Sequence, residues 1–374
     1  MASFLQKYRL FQGLCNGERA YTGPFYVTLD LTRRCNLSCL GCRFHSKESK
    51  GSALKDQDIM DFPFDWAERL FSEFRSLNTR MLFLMGDGEP FLYPRIFDVV
   101  HMAKKFGLHV TITTNGTLLD QVMAEHIVNS GLDAMHVSLW ASSYEEYLKQ
   151  YPGVDPVNFE RVVNGMRILS SLKAKNQTKV PHIMLSNPVN RLNFQSLDKM
   201  IELAREVGAD AIAFTPFKSN RGKLSHYGLT RCSQEDLCNR APQLKRKIRQ
   251  YSLGDNINRF ILRYRFNDIS DKLPCYIYWF HSRIKVDGTV LSCGRSELIL
   301  GDLKKESFSD IWNGQAYRTL RNETLSSSGF KHRNEICDCE FCSFVQDNMS
   351  VHKIFKYLLP FRGCYAWLLR KKAT

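Results

Sequence analysis

From Phe25 onward the chain alternates short apolar runs with longer stretches whose apolar residues recur at every third or fourth position. A short apolar run bounded by polar turns reads as a strand, and the longer period reads as an amphipathic helix. The pattern predicts strands at Phe25–Leu31, Met81–Met85, His109–Thr113, Ala134–Leu139, His182–Leu185 and Ala211–Phe214. Between them it predicts helices over Phe64–Leu77, Arg95–Phe106, Leu118–Ser130, Val157–Lys173 and Phe194–Val207. Gly107, Gly131 and Gly208 stand where a left-handed helix cap is needed, and Asn193 where an N-cap is. Six strand-then-helix repeats predict an α/β fold, a parallel sheet covered by helices and curved into a full or partial barrel.

The polar signals fall just past the strands. Cys35 to Cys42 follow the first, Gly86-Asp87-Gly88-Glu89-Pro90 the second and Thr114-Asn115-Gly116 the third; Ser138 ends the fourth, Asn187 and Asn190 follow the fifth, and Thr215-Pro216 the sixth. In parallel α/β folds that rim carries the site. From Lys218 to Pro274 the alternation stops, and Arg221, Lys223, Arg231, Lys245, Arg246, Lys247 and Arg249 make the stretch basic. Pro242 to Tyr251 reads as a helix, the charges as a solvated face, and Cys232 and Cys238 as structural.

Composition narrows the setting. The 374 residues suffice for a barrel-sized unit plus something smaller. The N-terminus lacks the apolar core of a secretion signal, and no apolar run reaches membrane-spanning length, so a cytoplasmic location is expected. In that compartment thiols stay reduced, and 12 cysteines argue for metal or redox work over disulfides. A formal charge of +14 favours an acidic partner: a phosphorylated substrate, anionic lipid or an acidic electron-donor protein; no nucleic acid is expected.

Cys35, Cys39 and Cys42 form a C-x3-C-x2-C triplet on the loop after the first strand. Such a loop can wrap three thiolates around one face of an iron–sulfur cube and leave the fourth iron open. The alternatives are a zinc site, which usually shows paired C-x2-C units, and idle reduced thiols. A second group, Cys275, Cys293, Cys337, Cys339 and Cys342, lies in the last hundred residues. Ser282 to Ser292 reads as a hairpin turning at Asp287-Gly288, which brings Cys275 and Cys293 together while Cys339-x2-Cys342 supplies a chelating loop. Four such thiolates can ligate a cluster or hold a zinc, and spacing does not choose between them. Cys337 is a fifth candidate.

The triplet after the first strand, with Gly88-Glu89-Pro90 after the second, resembles the radical S-adenosylmethionine superfamily from about Phe25 to Phe217. The later Cys275, Gly288-x4-Cys293 and Cys339-x2-Cys342 look like the SPASM/twitch extension, in its shorter twitch form. The resemblance implies a partial (β/α)6 barrel with a small C-terminal iron–sulfur domain. It implies that Cys35, Cys39 and Cys42 hold a catalytic [4Fe-4S] cluster chelated by S-adenosylmethionine, and that Cys275, Cys293, Cys339 and Cys342 hold an auxiliary [4Fe-4S] cluster. Gly86, Asp87, Gly88, Glu89 and Pro90 would take the methionine ammonium, Thr114 and Asn115 the ribose, and Ser138 and Asn190 further cofactor contacts. Gly41 departs from the family, in which many members place an aromatic residue there near adenine.

The chemistry implied is reductive cleavage of S-adenosylmethionine to a 5′-deoxyadenosyl radical, hydrogen abstraction, and electron uptake by the auxiliary cluster, with flavodoxin or ferredoxin as donor. The layout resembles relatives acting on aminocyclitols, which implies a carbohydrate-like small molecule undergoing dehydrogenation, epimerisation or dehydration. The alternative is a maturase that crosslinks or epimerises a ribosomal peptide; only about two dozen residues precede the first strand, too few for a leader-peptide domain. The expected division is 1–24 extension, 25–217 barrel, 218–274 basic connector, 275–345 auxiliary-cluster domain and 346–374 basic amphipathic tail. That tail interleaves aromatic, aliphatic and basic residues, which suits packing across the barrel or weak contact with a membrane surface.

Overall fold

A computed structural model describes residues 4–48, 60–217, 224–265, 273–294, 296–325, 342 and 344–357. The six expected strands are present as β1 (Tyr26–Leu29), β2 (Met81–Leu84), β3 (His109–Thr114), β4 (Ala134–Ser138), β5 (His182–Val189) and β6 (Ala211–Pro216). Each pairs in parallel with the next. A two-residue strand, β7 (Gly254–Asp255), closes one edge on β6.

The other edge is where sequence and structure differ most. The predicted hairpin forms from β8 (His281–Ile284) and β9 (Thr289–Leu291), antiparallel with Arg283 opposite Leu291, and β10 (Ile299–Asp302) extends it. Instead of standing apart, β8 pairs in parallel with β1, with Tyr26 opposite His281 and Thr28 opposite Arg283. The result is one ten-stranded sheet in the order β10-β9-β8-β1-β2-β3-β4-β5-β6-β7. Hydrophobic alternation specifies a strand's faces and not the neighbour along its edge.

The helices cover one face. Asp65–Ser76, Ile96–Lys105, Gln121–Asn129, Asn158–Lys175 and Leu197–Glu206 fall within two or three residues of the expected spans. Gly107, Gly131 and Gly208 adopt positive φ at their ends, as expected of left-handed caps. Asn193 makes no side-chain cap; its amide instead donates to Trp140 O and Pro188 O and accepts from Asn190 N. The connector helix starts earlier than expected, at Arg231, where Thr230 caps it by accepting from Ser233 N, and runs through Pro242 to Gln250. Val27, Leu29, Leu82, Leu84, Val110, Ile112, Met135, Val137, Ile183, Leu185 and Ile212 are fully buried against these helices.

The alternate residues point to the inner face, and register aligns them in rows: Thr28 with Phe83 and Thr111, then Thr113 with His136 and Met184, then Ser138 with Ser186 and Ala213, then Pro188 with Thr215. Phe83, Thr113, His136, Met184, Ser138, Ser186 and Thr215 are half-exposed although the strands are central. Half-exposure there marks an open lumen. Among the described residues no helix is long and apolar enough to cross a membrane.

Candidate functional site

The three cysteines of the first group sit on the loop leaving β1, which Leu37 and Leu40 anchor in the core. Its polar groups are tied at several points. Leu40 N donates to Gln150 O at 2.9 Å, Cys42 N to Cys39 O at 2.9 Å, and Ser38 Oγ to Pro152 O at 3.0 Å. Asn36 joins the loop to the end of β3, donating to Thr117 Oγ1 at 2.7 Å and accepting from Asn115 Nδ2 at 2.8 Å. A buried reciprocal amide pair supports this from below: Asn190 Nδ2 donates to Gln150 Oε1 and Gln150 Nε2 to Asn190 Oδ1, at 2.8 and 3.1 Å. Asn190 thus acts on the loop through Gln150, a residue that pattern reading missed because a glutamine inside a short surface-like helix carries no signal.

Burial pushes the Cys39 thiol well above its ordinary range, with Cys42 and Cys35 adding to it, and pushes Cys35 up to about 11. The three sulfurs lie within each other's field. Yet among the described residues no three His, Cys, Asp or Glu side chains converge on a single ion. Thiols that are close but do not meet at a point suit a multi-iron cluster better than one zinc, and the cluster's iron would supply the positive charge these buried thiolates need.

The Gly86–Pro90 loop lies directly against this one. Glu89 N donates to Arg34 O at 2.7 Å, and a Cβ on Gly88 would fall 2.3 Å from Arg34 O and 2.5 Å from Thr32 O. Only glycine permits that approach. The Glu89 carboxylate is buried and turned inward, accepting from Thr114 Oγ1 and Phe91 N on one oxygen and from Asn115 N on the other. Burial pushes it up to about 7 against those three hydrogen bonds. One lone pair of Oε2 remains, so most acceptor capacity of this loop toward a ligand lies in its backbone carbonyls.

Ser138 ends β4 with its Oγ accepting from Trp140 Nε1 at 2.9 Å. Trp140 and Phe217 meet edge to face, and a Cβ on Gly41 would lie 2.6 Å from Phe217 and 3.0 Å from Trp140. The space that an aromatic residue at position 41 would take is therefore filled by rings from the ends of β4 and β6. On the lumen wall, burial lowers His136 to about 4, so it is neutral at neutral pH.

In the second group Cys275 and Cys293 are buried and Cys342 half-buried. The Tyr26 phenol is pushed well up by burial and then by Asp347, Cys293, Cys342 and Cys275, so the three thiols lie within its field. Asn348 Nδ2 lies 3.8 Å from Cys275 Sγ, and the Arg263 guanidinium donates to Cys342 O. His281 Nδ1 and Ser292 Oγ, both fully buried on the same hairpin, have no hydrogen-bond partner among the described residues. Such polar atoms, on the hairpin that leads into Cys293, fit a group bearing sulfide acceptors. Cys337 and Cys339 lie outside the described residues.

Two family models match the chain, the Radical SAM superfamily over residues 29–203 and an iron–sulfur cluster-binding domain, SPASM, over residues 275–343. The chain belongs to the radical S-adenosylmethionine superfamily. Within it, this is an enzyme with a C-terminal SPASM domain, and its cofactors are S-adenosylmethionine and two [4Fe-4S] clusters. The AdoMet-dependent heme synthase of Methanosarcina barkeri is 25% identical over 84% of this chain and 90% of its own. PqqA peptide cyclase of Granulibacter bethesdensis is 24% identical over 79% and 76%. Among solved structures, Streptococcus suis SuiB bound to precursor peptide SuiA aligns with TM-score 0.63 at 14% identity, over 84% of this chain and 70% of that one. Native anSMEcpe with bound AdoMet and Kp18Cys peptide aligns with TM-score 0.59 at 16% identity, over 91% and 99%. These likenesses confirm the fold.

Proposed function

We propose that the chain is an oxidoreductase acting on a carbohydrate-like small molecule held in the barrel lumen. The observation that carries this reading is the lumen wall itself: half-exposed hydroxyls on Thr113, Ser138, Ser186 and Thr215, a neutral His136, and the rings of Phe83 and Trp140. Hydroxyls with aromatic faces match a polar, hydroxylated and weakly charged substrate better than an ionised one. In this reading Cys35, Cys39 and Cys42 hold the catalytic cluster, and Cys275, Cys293, Cys339 and Cys342 the auxiliary one. The backbone of Gly86 to Pro90 takes the methionine end of S-adenosylmethionine, Thr114 and Asn115 border its ribose, and Ser138 makes a further cofactor contact. When bound, these groups supply a 5′-deoxyadenosyl radical for hydrogen abstraction and, at the auxiliary cluster, an acceptor for the substrate's electron, so that the net reaction is a dehydrogenation. The protein's own part is to hold the substrate C–H against the wall, exclude water, and keep His136 unprotonated as a proton acceptor. A basic exterior suits a flavodoxin or ferredoxin donor.

The reading is tested by anaerobic reconstitution of wild type, Cys35→Ala/Cys39→Ala/Cys42→Ala and Cys293→Ala/Cys342→Ala. About eight irons are expected in wild type and about four in each variant, with S-adenosylmethionine cleavage lost only in the first. Deuterium should then pass from a labelled sugar or cyclitol into 5′-deoxyadenosine. A second reading, peptide modification, is favoured by the similarity to PqqA peptide cyclase; label arriving from a deuterated peptide fraction and from no carbohydrate would replace the first reading with this one.

A further inference from the structure

Asp30 closes the apolar run of β1 and is fully buried, and Asp87, in the middle of the Gly86–Pro90 loop, is nearly so. Neither carboxylate is used by the site as described above. Both are gripped by one side chain from the other end of the chain. Arg283 Nε lies 3.2 and 3.0 Å from the two oxygens of Asp30, and its Nη2 donates to Asp30 Oδ2 at 2.6 Å and to Asp87 Oδ1. Two carboxylates around one guanidinium, with only 11% of the Arg283 side chain exposed, form a buried ionic triad.

The triad reaches the loop backbone as well as its side chain. Gly86 adopts φ +136° and passes so near Asp30 that a Cβ there would lie 2.0 Å from Oδ1. On the opposite side His45, three residues past Cys42, bonds Asp87 O through Nε2 at 2.7 Å. Asp87 is therefore held between the catalytic-cluster loop and the auxiliary hairpin. The position of Arg283 is set in turn by the parallel pairing of β8 with β1, in which Thr28 faces Arg283 and Asp30 N donates to Ile284 O at 2.9 Å.

We propose that Arg283 is a positioning residue for S-adenosylmethionine: the auxiliary hairpin, through Arg283 and Asp87, sets the conformation in which loop 86–90 accepts the methionine end. This rests on the reading that loop 86–90 holds S-adenosylmethionine. In this proposal Arg283 acts through its contacts with Asp87 and Asp30. Arginine holds Asp30 through both Nε and Nη2 while Nη2 also reaches Asp87; the single ammonium of lysine cannot keep that two-nitrogen grip on Asp30 while reaching Asp87.

The test measures the S-adenosylmethionine dissociation constant of the reconstituted full-length holoenzyme, without turnover, by equilibrium dialysis and by the change in the electron paramagnetic resonance signal of the reduced cluster. The proteins are wild type, Arg283→Lys, Asp87→Ala, the double variant and Gly88→Ala. Arg283→Lys should keep about eight irons per chain and weaken binding at least about tenfold. Asp87→Ala should weaken it similarly, and adding Arg283→Lys to Asp87→Ala should cost less than Arg283→Lys does in wild type, because the Arg283–Asp87 contact is already gone and only the grip on Asp30 is left to lose. Gly88→Ala, which drives a methyl into Arg34 O, reports on the loop independently of Arg283. If Gly88→Ala weakens binding while Arg283→Lys stays within about twofold of wild type, the proposal is overturned and the loop reading survives. If none of the variants changes binding, the loop reading fails. Should Arg283→Lys fail to fold or to take up iron, the decision falls to Asp87→Ala, which leaves Arg283 paired with Asp30; unchanged affinity there overturns the proposal.

Discussion

Gln150 shows how a residue with no chemistry of its own can govern a site. Its carbonyl accepts from Leu40 in the cysteine loop, and its side chain closes a two-way amide pair with Asn190 that no water reaches. Gln150→Leu removes the acceptor of the buried Asn190 Nδ2, while Asn190 Oδ1 still accepts from Leu192 N, a loss of about 1–3 kcal/mol. Urea unfolding of the metal-free protein should read that loss as a lower midpoint at unchanged slope. His136 carries a different signature. Its folded pKa lies near 4 against an ordinary 6.5, so the unfolded chain binds the extra proton between those values. Stability contributed by the neutral ring is complete above 6.5 and is lost as pH falls toward 4, by about 3 kcal/mol in all. His136→Gln should remove this component, and unfolding free energies at pH 7 and pH 4.5 should differ less in the variant than in wild type.

At the scale of elements, the hairpin of β8 and β9 is the piece whose local sequence and wider packing must agree. Its turn depends on Gly288, which adopts φ +85° with its α-carbon facing Trp66, so that a Cβ would lie 2.6 Å from the indole. Gly288→Ala combines left-handed strain with overpacking against a ring held in the Asp65–Ser76 helix, at a cost on the order of 2–4 kcal/mol. A lowered unfolding midpoint would report the cost, and second-group iron should fall in parallel, since Cys293 follows β9 directly. Arg33 pairs with Asp287 in this turn at 3.5 Å, and Arg43 pairs with Glu297 beyond it. Together with the two Arg283 pairs, these ionic ties join the auxiliary segment to the chain leaving β1, the first cysteine loop and the Gly86–Pro90 loop.

At the scale of the whole molecule, the consequence is that the barrel is incomplete without its C-terminal part. Ending the chain at residue 274 would strip β8 from β1, expose the hydrogen-bonding edge of β1, and leave Asp30 and Asp87 buried without a cation. The truncated protein is expected to aggregate on size-exclusion chromatography; a monodisperse truncation with native-like far-UV circular dichroism would contradict this.

Much of the molecule was legible in the sequence because the signals are local. Short apolar runs and helical patterns located β1 to β6 and the five covering helices, glycines marked helix ends, and the spacings C-x3-C-x2-C and Gly88-Glu89-Pro90 carried the family, since a loop that wraps a cluster must be written in consecutive residues. Asp287-Gly288 disclosed the hairpin for the same reason. The tertiary structure alone decided which strand that hairpin joins, that Asn190 serves the loop through Gln150, that Trp140 and Phe217 fill the space beside Gly41, and that Arg283 answers Asp30 and Asp87. Each joins residues distant in the chain. Their pairing follows from burial and charge in the folded state, where an unpaired carboxylate or amide is costly, and one-dimensional periodicity carries no record of which distant partner meets that cost.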